Sequence, residues 1–488
     1  MLLTYIFSIL LFSIFILFLV PKTNIFLLRV VALVSSSVVF FLCCILLINF
    51  NCNFYYFQHV TTCSLNFELL NLYLSFGIDG LSLWFFILSS FLIFLCILFV
   101  WNEFLFKEYA IVLTVLNLLL LLVFSVLDVL FFYIFFEAIL IPMYLMIGLW
   151  GSRERKVRAV YLFFFYTLIG SLCMLLGLLY IYNLTGTLNF EYLLTYKFTF
   201  EQQYWLWLAF FLSFASKIPL FPLHVWLPEA HVEAPTVGSV LLAGILLKLG
   251  VYGFLRFSLN LFPEASLFFS PFVYLLSVLG IIYASMSAIR QTDLKRIIAY
   301  SSVAHMNLVT MGIFSFNIIG IEGSIMQSIS HGFVAGGLFF LIGIIYSRYH
   351  TRLLHYYGGL VHCMPLYAIL FVLFTMANIA LPGTSSFVGE FLLLLGIYKT
   401  NIVTTIFATL GVILSGAYSL WLCNRIIFGN LKISYTSKYS DLSHVEFAIM
   451  IFIAFFVLFL GIYPSVITDI THFSVYSLLF NLDVFRLW

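Results

Sequence analysis

The sequence predicts an all-α polytopic membrane protein of about fourteen transmembrane helices, built around two inverted five-helix repeats. Three observations predict it. Of 488 residues, 64% are hydrophobic and only 8% charged, with a mean hydropathy of +1.18; a soluble chain carries roughly a quarter of its residues as charged ones. Apolar runs close to the roughly 20 residues that cross a bilayer recur along the chain. Lysine and arginine gather in alternate connections. Lipid is therefore the main solvent, and a net charge of +2 offers no basic face to a nucleic acid.

The runs fall at 2–20, 26–48, 81–100, 109–127, 129–149, 159–182, 204–221, 237–258, 271–289, 297–314, 323–346, 365–398, 402–428 and 445–464. The first lacks a basic flank and reads as a span, not a presequence or signal peptide. Between the fourth and fifth only Asp128 interrupts the run, and it reads as interfacial. Connections after odd-numbered spans, with their margins, hold 15 of the 21 basic residues, from Lys22 and Arg29 to Lys432 and Lys438. The opposite side holds only Lys197, Arg256, Lys399 and Arg486; Lys217 and Lys248 lie inside spans. By the positive-inside rule both termini are expected on the intermembrane-space or periplasmic side.

Two spans are interrupted. The seventh reads Ala215-Ser216-Lys217-Ile218-Pro219-Leu220-Phe221-Pro222, the twelfth Ala377-Asn378-Ile379-Ala380-Leu381-Pro382-Gly383-Thr384. Proline removes a backbone donor, and a broken helix persists in a membrane only where protein or water satisfies the freed groups. The breaks are five spans apart, so units made of spans 4–8 and 9–13 would be inverted copies, a pattern that marks a transport path. The expected organisation is an N-terminal three-helix region (1–100), a first repeat (109–258), a second repeat (271–428) and a C-terminal helix and tail (429–488).

The informative side chains are ionisable groups that lipid should exclude: Glu137 in span five, Lys217 at the first break, Lys248 near the centre of span eight, and Glu390 after the second break. Each costs roughly 2.5–3.5 kcal/mol or more at mid-bilayer on insertion scales. The bland explanation is a buried ion pair that locks helices, which would suit Glu137 with Lys217. It suits Lys248 less, because no acidic residue stands in its flanking sequence. Burial penalises the charged form of an amine, so such a lysine can load and release a proton, and a movable Glu charge beside Lys217 would switch it. His305 and His331, in spans ten and eleven, are relay candidates, since imidazole exchanges protons near neutral pH. His224 and His231, in the proline-rich stretch after span seven, read as structural or entry-side residues. The glycines of Leu249–Gly253 and His331–Gly337 read as packing positions.

No C-x-x-C pair, dinucleotide fingerprint or phosphate-binding loop is present; His59 and Cys63 have ligand spacing but lack a second such pair. Redox chemistry would have to sit on partner chains. The 59 phenylalanines fit an AT-rich genome such as a mitochondrial one.

Three stretches carry a resemblance: Leu223-His224-Val225-Trp226-Leu227-Pro228-Glu229-Ala230-His231-Val232-Glu233-Ala234-Pro235, Leu246-Leu247-Lys248-Leu249-Gly250-Val251-Tyr252-Gly253 and Gln291-Thr292-Asp293-Leu294-Lys295-Arg296-Ile297-Ile298-Ala299-Tyr300-Ser301-Ser302. From about span four to span thirteen the chain resembles the antiporter-like subunits of proton-pumping NADH:quinone oxidoreductase, respiratory complex I. Glu390 stands where sister subunits of that family commonly carry Lys. The resemblance implies a switching pair of Glu137 and Lys217, a central carrier Lys248, a terminal proton site Glu390, and His305 and His331 linking them through water. It implies no cofactor on this chain; flavin, iron–sulfur clusters and quinone would belong to partner subunits, with quinone reduction elsewhere supplying the energy. Neighbouring antiporter-like subunits would be partners, and the mitochondrial inner membrane the location, with a bacterial plasma membrane as alternative. Two other functions stay open: a subunit of a multisubunit cation/proton antiporter, and a scaffold without its own proton path.

Overall fold

The computed structural model describes residues 2–67, 72–101, 105–432 and 440–486; Lys438, counted above among the basic connections, lies outside them. The fold is mostly helical, and ten helices among the described residues are long and apolar enough to cross a membrane. Large apolar side chains are exposed and many polar ones are buried. Phe12, Phe26, Leu176 and Ile413 are all more than 60% exposed, while Asn307, Ser302, Ser324 and Lys248 are fully buried. Apolar side chains outside, with the polar groups withdrawn into a largely apolar interior, is the arrangement that lipid selects.

The chain divides into two compact units. The first comprises Met1–Lys217, Lys248–Phe269 and Asp469–Trp488; the second comprises Ile218–Leu247 and Ser270–Thr468.

In the first unit, helices Leu2–Leu19, Ile25–Ile48, Leu83–Phe99 and Phe106–Ser125 pack on one another. The all-α expectation needs correction between the second and third of these. Strands Gln58–Phe67 and Leu72–Ile78 form an antiparallel pair, with Gln58 opposite Ile78 and Thr61 opposite Phe76. Their β-branched and aromatic residues are too interrupted by polar ones to span a bilayer, and they suit a two-stranded ribbon. Asp128 is also placed differently from its interfacial reading. It is 1% exposed and caps helix Val129–Ala138, its Oδ1 accepting from the Leu130 and Phe131 amides at 2.9 and 3.3 Å. On either side of it, Leu127 N donates to Ser75 O and Val129 N to Leu188 O, both at 3.0 Å. Replacing Asp128 by Ala is expected to lower stability by about 1 kcal/mol, measurable as a lower thermal midpoint of the detergent-solubilised protein.

The fifth run is not one helix. It divides at Ile139 into Val129–Ala138 and Leu140–Trp150, because Pro142 has no N–H to donate to the Ala138 carbonyl and its ring crowds that residue. Glu137 thus lies in the last turn before a break.

Arg256, assigned above to an outer connection, is instead 6% exposed, inside the helical stretch Thr236–Leu261. It forks onto Asp79 with Nη1–Oδ2 at 2.8 Å and Nη2–Oδ1 at 2.6 Å, and its Nε donates to Tyr252 Oη at 3.1 Å. The rings of Phe57, Tyr252 and Phe190 surround the guanidinium. A paired and hydrogen-bonded charge survives burial that an isolated one would not. The tail, too, is more ordered than a helix and tail: a 22-residue helix, Ser465–Arg486, follows His444–Ile462. Gly80 lies so close to the Ile470 carbonyl and Ser474 that no side chain fits there.

In the second unit, helix Ile318–Tyr349 is the central element, packing on Leu294–Ile313, Pro365–Asn378, Ser385–Thr400 and His444–Ile462. Its tightest approach is to Ser385–Thr400. A Cβ on Gly389 would sit 2.8 Å from the Gln327 backbone, and one on Gly323 2.8 Å from Leu393 N. These two glycines bring the backbones together and fix Glu390, next to Gly389, against the partner helix. The basic end of Ile318–Tyr349 is tied down by Arg348, whose guanidinium forks onto Glu446 at 3.1 and 2.7 Å. Asp441 caps Pro365–Asn378 through the Leu366 and Tyr367 amides.

Candidate functional site

Two groups of buried polar side chains stand out, one in each unit. In the first unit, Lys217 ends helix Phe200–Lys217, where the chain breaks before Pro219. A cation suits a helix C-terminus, where carbonyls lack partners. Lys217 is 2% exposed, its Nζ makes no hydrogen bond, and it lies 4.5 Å from the centroid of the Phe136 ring. Glu137, on the next residue along, is half-buried; it hydrogen-bonds Ser171 and its charge interacts with that of Lys217. The two do not form a close ion pair, and Glu137 Oε1 has no hydrogen-bond partner. A locking salt bridge would close that gap, as Arg256 and Asp79 do.

Lys248 is 0% exposed. It lies on Leu247–Gly253, a short α segment bracketed by two π-helical stretches, Leu242–Leu246 and Phe254–Ser258. π-Bulges interrupt the regular ladder and recur at functional positions in helices. All but Thr236 and Asn260 of the stretch Thr236–Leu261 are buried, an unusual place for an amine.

In the second unit, His305 Nδ1 lies 2.9 Å from Glu390 Oε1, and Gln327 Nε2 donates to the same oxygen at 3.1 Å. Ser330 Oγ donates to Gln327 Oε1 at 3.1 Å and holds that amide in place. The rings of His305 and His331 are 5.9 Å apart. His305, His331 and Glu390 are 6, 3 and 4% exposed. His305 and Glu390 line a cavity of ≈ 20 Å³ with Ile281, Ala304, Leu308, Gly411 and Ser415. About one probe sphere of free volume, some 10–15 Å³, accommodates a water. His305 Nε2 has no hydrogen-bond partner. An imidazole donating from Nδ1 to a carboxylate can take a proton on Nε2 and pass the other to Glu390.

The structure therefore brings Glu137 to Lys217, and His305 to Glu390 and His331. His224 stacks on Phe221 at 5.7 Å and meets Tyr283 edge-on at 5.2 Å, while His231 stacks on Phe339 at 4.7 Å. Sequence reasoning missed Gln327, Ser330 and Ser171. For the first two a signal existed: Ser324, Gln327, Ser330 and His331 recur at helical spacing in a largely apolar helix, which draws a polar stripe along one face. Asp79 and Arg256 are 177 positions apart, and no local pattern links them. Among the described residues, no group of three or more His, Cys, Asp and Glu side chains is placed to hold a metal ion.

A helical membrane protein with broken helices and acid–base groups buried inside it belongs, as a class, with ion-translocating proteins. Residues 126–416 match the family described as NADH:quinone oxidoreductase/Mrp antiporter, transmembrane region, and the chain belongs to that family. It is 54% identical over 471 residues to NADH-ubiquinone oxidoreductase chain 4 of Chondrus crispus, covering 96% of each. Among solved structures it is similar to a chain of respiratory complex I from Thermus thermophilus with bound NADH, at 32% identity and a TM-score of 0.90, covering 99% of this chain and 100% of that one. A chain of the Mrp complex from a Dietzia species shares the fold at a TM-score of 0.85 and 17% identity, over 97% of each.

Proposed function

We propose that this chain is a proton-translocating membrane subunit of an NADH:quinone oxidoreductase and that its buried acid–base groups carry the protons. The observation that carries the reading is the His305–Glu390 contact beside a water-sized cavity. A scaffold gains nothing from a carboxylate whose partner is an imidazole with one free nitrogen. Glu137 and Lys217 form the switching pair, Lys248 the central carrier, His305 and His331 the relay, and Glu390 the terminal proton site. Flavin, iron–sulfur clusters and quinone sit on partner subunits, and neighbouring antiporter-like subunits are lateral partners. Identity along the full length to a chain 4 relative, against fold likeness alone to the Mrp chain, favours this reading over a cation/proton antiporter.

The same reading takes the fourteen apolar runs as spans, with 109–258 and 271–428 as inverted repeats about the breaks at Pro219 and Pro382. The regions 1–100 and 429–488 flank them. Both termini face the intermembrane space of mitochondria, or the periplasm in a bacterial setting, with the basic connections opposite. Isolation in mild detergent tests the assignment. Flavin- and iron–sulfur-bearing chains are expected to co-migrate; small membrane subunits alone would overturn it.

Charge coupling between Glu137 and Lys217 is tested separately. Each group costs several kcal/mol to bury unless the other compensates it. Glu137→Gln is therefore expected to slow proton transport by about tenfold, ~1.4 kcal/mol on the barrier, while Glu137→Asp keeps most of the rate. Equal losses in the two variants would mean that size, not charge, matters there.

A further inference from the structure

A second cluster of buried charges in the second unit has no part in the scheme above. It surrounds the end of helix Trp226–Glu233. Lys295 Nζ donates to Ala234 O at 2.7 Å and to Ser239 Oγ at 3.3 Å, and the Arg352 guanidinium donates to Val232 O. These cations thus hold the backbone on both sides of Glu233, at the helix end where carbonyls lack partners and positive charge is favoured. Glu233, Lys295 and Arg352 are 2, 3 and 1% exposed. The charges of Glu233 and Asp293 both reach Lys295, but Asp293 is engaged in capping, its Oδ1 accepting from Lys295 N at 3.1 Å. Glu233 Oε2 makes no hydrogen bond at all.

That open oxygen separates this cluster from a structural lock. Glu446, in the same unit, uses both carboxylate oxygens on Arg348, as a charge held only for stability should. Lys295 gives hydrogen bonds to the Ala234 carbonyl and the Ser239 hydroxyl, and Arg352 one to the Val232 carbonyl, while Glu233 Oε2 stays open to accept a proton. Surface access is near. Glu229, one turn earlier on the same helix face, pairs with Arg296 at 2.7 Å, and both side chains are about one-third exposed.

We infer that Glu233 is a further proton-binding site of this chain, one helical turn in from the Glu229–Arg296 pair, with Lys295 and Arg352 as its counter-charges. A hydronium at that face gives its proton to Glu233 Oε2 and leaves water. The carboxylate becomes a neutral acid, and the cluster gains one positive charge. That surplus favours release of the proton again, which restores the carboxylate. No redox partner is needed. The inference rests on the reading of the chain as a proton-translocating subunit.

The test uses the whole complex in its own membrane. Glu233→Gln is expected to assemble to the normal amount on a native gel and to lose proton transport by about a hundredfold, the lower end of general acid–base effects, while Glu233→Asp retains most of it. In the unaltered complex, dicyclohexylcarbodiimide, which attacks protonated buried carboxyls, should label Glu233 more at low pH than at high, as read by peptide mass spectrometry. This second measurement stands even if Glu233→Gln fails to assemble. Normal transport per assembled Glu233→Gln complex, equal losses in the Gln and Asp variants, or labelling that is absent at every pH overturns the inference. Lys248→Met runs alongside: if it too transports normally, the proton-subunit reading itself has failed, whereas a defect in Lys248→Met alone defeats only Glu233.

Discussion

Lys248→Met is expected to assemble into its complex in normal amount and to lose proton transport by about tenfold or more, at least ~1.4 kcal/mol on the barrier. The reasoning starts from cost. An amine at the centre of a fully buried helix is penalised by roughly 2.5–3.5 kcal/mol on insertion scales, and Lys248 is 0% exposed. Methionine has similar length and no charge, so the substitution removes that penalty without opening a cavity. A residue kept only for architecture would lose stability and keep its rate; a proton carrier would lose its rate while the complex still assembles. The flanking π-helical stretches at Leu242–Leu246 and Phe254–Ser258 lie in backbone that Met does not disturb. Two measurements decide: the thermal midpoint of the assembled complex, and the rate of acidification in sealed vesicles. An unchanged rate would remove Lys248 from the mechanism, and a lower midpoint with an unchanged rate per complex would make it a packing residue.

Much of this was legible in the sequence, for physical reasons that differ between elements. Apolar runs locate helices because lipid forces every backbone group into an internal hydrogen bond. Helical segments lie within each predicted run, in two pieces in the fifth and the twelfth, and the chain leaves helical geometry around Pro219 and Pro382, where proline has no N–H to give. The division of span five at Ile139 follows from Pro142, but the apolar run continues through it and hides it. The paired strands Gln58–Phe67 and Leu72–Ile78 escape hydropathy, which reports only what is long enough to cross. Arg256 and Lys295 stand at positions that read as connections, although both are buried. Charge counting sees sequence position, whereas Asp79 and the Ala234 carbonyl, which receive them, are distant along the chain. The same limit applies to the site. That Glu390 needs a polar partner follows from its apolar neighbours; that the partners are His305 and Gln327 is a property of the packing of Ile318–Tyr349 on Ser385–Thr400, set by Gly323 and Gly389.

Glu390→Gln and Glu390→Ala are expected to fail in different ways, and the difference separates proton chemistry from packing. Glu390 Oε1 accepts from both His305 Nδ1 and Gln327 Nε2. Glutamine keeps a carbonyl oxygen of the same reach, so both donors stay satisfied and the helices stay docked. What it cannot do is take a proton from His305 at accessible cost and release it again. Transport is expected to fall by about tenfold or more, with a normal amount of assembled complex. Alanine removes the acceptor altogether. It strands a buried imidazole N–H and a buried amide N–H at roughly 1–3 kcal/mol each, so Glu390→Ala should lower the thermal midpoint and the yield of complex as well as the rate. Glu390→Asp retains the titrating group but retracts it by one methylene, lengthening the 2.9 Å contact to His305, and an intermediate rate is expected. His305→Gln completes the set: it can donate to Glu390 but has no second nitrogen to receive a proton from the cavity, so its transport should match that of Glu390→Gln while Gln327 keeps its bond. Normal transport in Glu390→Gln would take the carboxylate out of the path. A fully active His305→Gln beside an inactive Glu390→Gln would keep Glu390 and force the proton to reach it by a route that bypasses the imidazole.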